Sequence, residues 1–287
     1  MTYETLDAFL KGAKKELSTG PIALVFLEDT VEVDSTLRHH TDLGFKTVIA
    51  IGAPDIEVSK DVAEKVIRVH HDVMVGRSLE AIVNSVIPLC AGQWVFYCYN
   101  AEYLFFPFCE HRTVGEMLAF NEEERRNAVL TYVLDLYAGD LENAPNAVSL
   151  EEAHLDKSGY YAFGRTDAQN NFKERQLDFF GGLRWRFEEH VPQMRRRIDR
   201  ISLFKSARGL KMYSDFTFSE DEYNTYACPW HHSLTAAVCS FRTAKALKRN
   251  PGSGYQIPTF KWRNSARFDW DSQQLMDLGL IEPGQWF

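Results

Sequence analysis

Ile22–Leu27 (IALVFL) is an unbroken run of six apolar residues, the pattern of a strand buried on both faces. Thr47–Ile51 (TVIAI) and Trp94–Tyr99 (WVFYCY) repeat it further along the chain, and Val66–His70 reads as a shorter strand between them. Between them the apolar spacing becomes helical. Leu6–Leu17 carries apolar residues at 6, 9, 10, 13 and 17 and ends at Ser18-Thr19-Gly20-Pro21. Val33–Leu43 predicts a helix closed by Gly44, and Leu79–Cys90 another that ends near Gly92. Strand, helix, strand, strand, helix, strand with short connections predicts an α/β fold, a mostly parallel Rossmann-like sheet flanked by helices. Ligands of such sheets sit beyond the carboxyl ends of the strands. That directs attention to Glu28-Asp29, Gly52–Asp55 and Asn100–Glu102.

The second half is less regular. Val114–Phe120 and Glu122–Leu136 predict helices, and Gly139–Leu155, polar and containing Pro145, a long loop. Ile201–Phe204 is strand-like. Ser233–Lys248 (SLTAAVCSFRTAKALK) predicts an Ala-rich helix stopped by Asn250-Pro251-Gly252. The expected division is a main domain over 1–250 and an aromatic arm over 251–287, with Trp262, Trp270 and Trp286, packed on that domain.

Composition narrows the classes. The chain has 287 residues, 45% hydrophobic and 25% charged, with a formal net charge of −8, which argues against a dedicated nucleic-acid binder. Five Cys without a CxxC pair fit free thiols better than disulfides or a zinc knuckle. No apolar run approaches the roughly 18 residues of a membrane helix. A cytoplasmic protein is expected, and Arg195-Arg196-Arg197 leaves open a seat on the inner face of a membrane. The absence of GxGxxG, GxxxxGK[ST] and GxSxG disfavours dinucleotide dehydrogenases, P-loop enzymes and α/β hydrolases.

Trp94–Pro107 (WVFYCYNAEYLFFP) resembles the W-V-x-x-x-D-x-D-E-F-L segment of family-two-like glycosyltransferases with the GT-A fold. Aligned without gaps, the two aspartate positions fall on Tyr99 and Ala101. Shifted by one, Asn100-Ala101-Glu102 becomes a version with one carboxylate. Ile22–Asp29 resembles the family's first strand with Glu28 at its Glu position. HHTDLGFKTVIAI resembles its H-x-x-x-G-F-x-x-I-x-V stretch through His40, Gly44 and Phe45, with the following acid displaced to Asp55. LDLYAGDL resembles an acceptor-side L-D-M-Y segment and FFGGLRWRF a G-G-x-R-x-R element.

The resemblance implies transfer of a sugar from a nucleotide-sugar donor to a glycan or glycolipid acceptor. A glycosyltransferase-like binding protein that has lost the metal-binding aspartates is the alternative. Glu28, Asp55, Asn100, Arg184 and Arg186 are then expected at the donor, Arg184 and Arg186 by bidentate pairing with a diphosphate. Glu102 and His232 are expected to hold Mn²⁺ or Mg²⁺ weakly, His232 from the start of the 233–248 helix. Asp135 and Asp140 are the candidate bases. Plain structural alternatives stand beside several of these: a strand-ending turn at Asn100–Glu102, packing beside Trp230 for His232, capping or a buried ion pair for Asp135, and surface ion pairs for the arginines.

Overall fold

The computed structural model describes residues 1–286. Its strands are β1 (Thr2–Tyr3), β2 (Ile22–Leu27), β3 (Thr47–Gly52), β4 (Ile67–His70), β5 (Trp94–Tyr99), β6 (Glu102–Phe105), β7 (Ala128–Asp135), β8 (Tyr137–Ala138), β9 (Ala153–Asp156), β10 (Tyr161–Thr166), β11 (Phe172–Phe180), β12 (Asp199–Lys205), β13 (Ala236–Ser240) and β14 (Ser265–Arg267). Nine form a mostly parallel sheet in the order β1-β4-β3-β2-β5-β12-β7-β13-β6. Helices flank it, and the class is α/β and Rossmann-like. Among the described residues no helix is long and apolar enough to cross a membrane.

The chain divides into two compact units. The first comprises 1–103, 111–130 and 201–224, and the second 104–110, 131–200 and 225–286. In the first unit β2 runs parallel to β3 on one side and β5 on the other, and every residue of β2 and β3 is buried. Two-sided burial is why these strands read as unbroken apolar runs. Helix α1 (Leu6–Gly12) starts at Thr5, whose side chain accepts the Ala8 N–H. Helix α2 (Val33–Asp42) ends at Gly44, whose φ of +92° any Cβ would oppose. Helices α3 (Lys60–Ala63) and α4 (Leu79–Val86) follow, then α5 (Val114–Glu123), which Thr113 and Glu116 close with a reciprocal capping box.

Two expectations are corrected. Glu122–Leu136 is not a helix. The helix stops at Glu123, Arg125 turns the chain at φ +57°, and Ala128–Asp135 becomes β7. Val129, Thr131 and Val133 are β-branched, and all of β7 but Tyr132 is buried, so burial on both faces outweighs an apparent helical spacing. Nor is Ser233–Lys248 one helix. Ala236–Ser240 forms β13, wholly buried and parallel to β7 within the second unit, and only Arg242–Arg249 is helical. The helix propensity of alanine yields to burial within a parallel pairing with β7. His232 therefore precedes a strand, and no helix begins there.

The second unit also holds α6 (Gly182–Arg186), then α7 (Arg242–Arg249), α8 (Pro251–Gln256) and α9 (Ser272–Asp277). The segment after residue 250 is built into this unit. Strand β14 pairs antiparallel with β9, which pairs with β8. Phe105 meets Phe268 edge-on at 5.2 Å, and the Trp270 indole donates to the Leu150 carbonyl at 2.9 Å. Strands β10 and β11 form a separate antiparallel hairpin.

Candidate functional site

Strand order places β3 and β4 on one side of β2, whereas the chain reaches β5 on the other. The connection reverses between β2 and β5, and doubly wound sheets open a crevice at such a switch point. Here the segments at that point are Glu28-Asp29 after β2 and Asn100-Ala101 after β5.

Asn100, fully buried, organises these segments. Its Oδ1 accepts the Glu28 N–H at 2.8 Å, and its Nδ2 donates to Asp29 Oδ1 at 2.7 Å and the Val31 carbonyl at 2.8 Å. The Asn100 N–H continues the ladder to the Phe26 carbonyl at 3.0 Å. Ala101 then adopts φ +59°, and its N–H reaches Thr36 Oγ1 at 2.8 Å. Glu102 turns back, fully buried, with a carboxylate oxygen accepting the Tyr99 N–H at 2.8 Å. Asn100 thus latches the two loops together, and Glu102 closes the turn between β5 and β6.

This arrangement bears on a metal. The Asn100 side-chain oxygen accepts the Glu28 N–H, and one oxygen of the buried Glu102 carboxylate accepts the Tyr99 N–H. Asn100-Ala101-Glu102 thus offers one carboxylate, and that carboxylate is buried. His232, in the second unit, has a side chain 68% exposed, with Nδ1 3.1 Å from Glu282 Oε2.

Asp55 lies exposed on the loop after β3, and Glu28 follows Leu27, the partner of Gly52. Both thus extend from the carboxyl ends of adjacent parallel strands. Sequence reasoning missed what shapes the Asp55 loop. Arg68, on β4 and 9% exposed, donates from Nη1 to the Ala50 carbonyl at 3.2 Å, and from Nη2 to the carbonyls of Ala53 at 2.6 Å and Ile56 at 3.2 Å. Burial lowers its pKa, against the pull of Asp55. A polar residue inside a strand pattern was the only available signal.

His40, matched by the resemblance, is fully buried on α2. Its Nδ1 lies 2.8 Å from the Thr36 carbonyl and its ring stacks on Phe96 at 5.1 Å. Burial, reinforced by neighbouring His39, pushes its pKa down to about 3, so the imidazole is neutral at pH 7.

In the second unit the structure gathers Asp135, Arg184 and Arg186. Asp135 ends β7 opposite Ser240, the last residue of β13. Its Oδ2 accepts the Arg184 N–H at 3.2 Å. Its Oδ1 makes no hydrogen bond and lies 3.4 Å from Arg184 Nε, which donates instead to Thr243 Oγ1 at 3.1 Å. Gly182, at φ +63°, lets the backbone close on this carboxylate, because a Cβ there would stand 2.9 Å from Oδ2. Desolvation raises the Asp135 pKa, and Arg184 offsets only part of the effect.

Arg186 is committed elsewhere. Its Nε donates to Asp156 Oδ2 at 2.8 Å, its Nη2 to Asp156 Oδ1 at 3.2 Å and to the Phe260 carbonyl at 2.8 Å. The guanidinium also lies over Tyr137, Phe187 and Trp262. Tyr137 and Trp262 both donate to Asp156 Oδ1, at 2.6 and 2.7 Å. Asp156, at the edge of the expected loop, was not singled out from sequence. Asp140 sits exposed in a turn, accepting the N–H groups of Glu142 and Asn143, which lower its pKa.

No protein-family model matches the chain, and no curated protein matches it.

Proposed function

We propose that the protein binds a nucleotide-sugar at the β2/β5 switch point and transfers its sugar to a glycan or glycolipid acceptor, as a GT-A glycosyltransferase. The observation that supports this reading is the Asn100 latch, which ties Glu28 and Asp29 to the loop after β5 at the switch point, the location at which such sheets bind nucleotides. The ordered resemblance of Ile22–Asp29, His40–Ile51 and Trp94–Pro107 to that family supports it. Glu28 and the Asp55 loop, held by Arg68, are the groups to orient a ribose and a base through hydrogen bonds. Asp135, in the second unit, is the candidate general base: burial raises its pKa, and Arg184 and Thr243 offset part of that rise.

The enclosed Glu102 favours a second reading, a nucleotide-sugar-binding protein without metal-dependent transfer. Calorimetric titration with UDP, in Mn²⁺ and in EDTA, tests both. Saturable UDP binding that EDTA leaves unchanged is the expected result. Binding strengthened tenfold by Mn²⁺ overturns the reading of an enclosed Glu102, and absence of nucleotide binding removes both readings. Hydrolysis or transfer from a panel of nucleotide-sugars then separates enzyme from binding protein.

A further inference from the structure

The β10–β11 hairpin of the second unit carries a cluster of aromatic rings at the surface. Tyr161 and Phe180 are direct cross-strand partners, as are Phe163 and Asp178. Opposed residues of an antiparallel pair share a face, so Tyr161, Phe163, Phe180 and Asp178 lie on the same side. The Tyr161 and Phe180 rings stack at 5.4 Å and 17°, with Phe163 5.4 Å from Tyr161 and Trp185 of α6 6.4 Å from it. Phe163 is 62% exposed, and Tyr161 and Trp185 are each 40% exposed. Gly159, at φ +94°, lets the chain lie against the Trp185 ring, where a Cβ would stand 3.2 Å away.

The border of this face is polar and charge-compensated. Arg165 pairs with Asp178 at 2.8 Å and Asp199 at 2.6 Å, and Arg197 pairs with Asp178 at 2.9 Å. Arg197 and Asp178 keep 20% and 24% of their side chains at the surface. Two arginines against two aspartates leave no net charge to attract an anion. Glu174, on the same hairpin, lies 3.7 Å from Arg175 Nε, so this pair too is charge-compensated. Arg196, next to Arg197, is likewise paired, with Glu188 at 3.0 Å, so the charges around this face are largely compensated and an anionic bilayer is left as an outcome of the test. A neutral polyhydroxylated ligand is a good match: the C–H faces of sugar rings pack on aromatic faces, and paired carboxylate and guanidinium groups meet hydroxyls without needing a counter-charge.

We infer that the face formed by Tyr161, Phe163, Phe180 and Trp185, bordered by Asp178 and Arg197, binds a neutral oligosaccharide. Calling that glycan the acceptor rests on the transferase reading; the binding itself does not.

The test applies the full chain to an array of neutral oligosaccharides built from glucose, galactose, mannose and N-acetylglucosamine, with UDP binding measured in parallel. The wild type retains at least one glycan class, and Phe163→Ala and Tyr161→Ala each weaken that binding tenfold or more while leaving UDP binding and thermal stability unchanged. No retained glycan, or retention that both variants leave intact, overturns the inference. So does co-sedimentation with phosphatidylcholine–phosphatidylglycerol vesicles that Phe163→Ala abolishes, which would make the face a membrane seat. Glycan binding without UDP binding sinks the transferase reading alone, and UDP binding without glycan binding sinks this inference alone.

Discussion

The Asn100 amide stands 2.7 Å from the Asp29 carboxylate across a separation of 71 residues, and the same side chain accepts the Glu28 N–H. A single buried side chain thus sets the spacing of two loops at the switch point. Asparagine suits the position because it offers two donors and an acceptor at once, which a carboxylate does not.

The substitution Asn100→Asp should therefore be damaging, although it restores an acidic residue where the resembling family has one. It removes both donors and sets a second negative charge beside Asp29. A loss of about 1–3 kcal/mol is expected, the range for a buried polar group left unpaired. Urea denaturation measures it as a lower midpoint at unchanged slope. A variant as stable as the wild type, with newly Mn²⁺-dependent nucleotide binding, would show that the position is a weakened metal site and no latch.

The parts of this arrangement legible in the sequence are those governed by continuous burial. Ile22–Leu27 and Trp94–Tyr99 have the bounds that their apolar runs predict, since a strand covered on both faces leaves no position for a polar residue. Strands β7 and β13 were illegible for a related reason. A short, Ala-rich or mixed apolar run satisfies a helical period as easily as two-sided burial, and only the parallel pairing of Ala236–Ser240 with Thr131–Asp135 decides. Of the site, Glu28 and Asn100 were visible as strand-ending residues. Arg68 and Asp156 were not, because their importance lies in distant carbonyls, indole and guanidinium groups that share no local pattern with them.

Buried His40 makes stability depend on pH with a definite sign. Its folded pKa of about 3 lies below the ordinary 6.5, so the unfolded chain binds the proton first as pH falls. The stabilisation is complete above pH 6.5 and declines towards pH 3, by at most about 1.4 kcal/mol per pH unit. The variant His40→Phe keeps the packing against Phe96 and Phe45 and removes the titration. Between pH 4 and 6.5 the wild type should lose stability faster than this variant. Parallel curves would mean that the imidazole is accessible to protons in the folded state.

Asp135 acts in the opposite direction. Its pKa is raised above 3.8, so the folded state holds the proton more tightly than the unfolded chain does. Stability from this group is present below pH 3.8 and is lost as pH climbs through the raised value. Asp135→Asn should remove that component, and the stability of the variant relative to the wild type should rise with pH above 3.8. Arg184→Met should extend the window upwards, because the guanidinium 3.4 Å away is what holds the shift in check. A difference curve that is flat with pH would place Asp135 in its ordinary range, and with it would go the case for this residue as a base.

Arg186 offers the sharpest contrast between a structural and a ligand-binding arginine. Its guanidinium is ion-paired to Asp156, a carboxylate 1% exposed, and sandwiched among Tyr137, Phe187 and Trp262. Breaking a buried pair by removing one partner leaves the other charge uncompensated and costs about 3–5 kcal/mol. Arg186→Met should thus destabilise the protein by that order. It should also loosen the segment after residue 250, because Trp262 and the Phe260 carbonyl both meet this pair. Hydrogen exchange at 258–268 reads the loosening directly. Replacing both partners, Arg186→Met with Asp156→Leu, should recover part of the loss, since no buried charge then remains, although the hydroxyl of Tyr137 and the indole of Trp262 lose their acceptor. A diphosphate-binding arginine would behave differently: Arg186→Met would lower UDP affinity tenfold or more while leaving the denaturation midpoint and the exchange of 258–268 where they were.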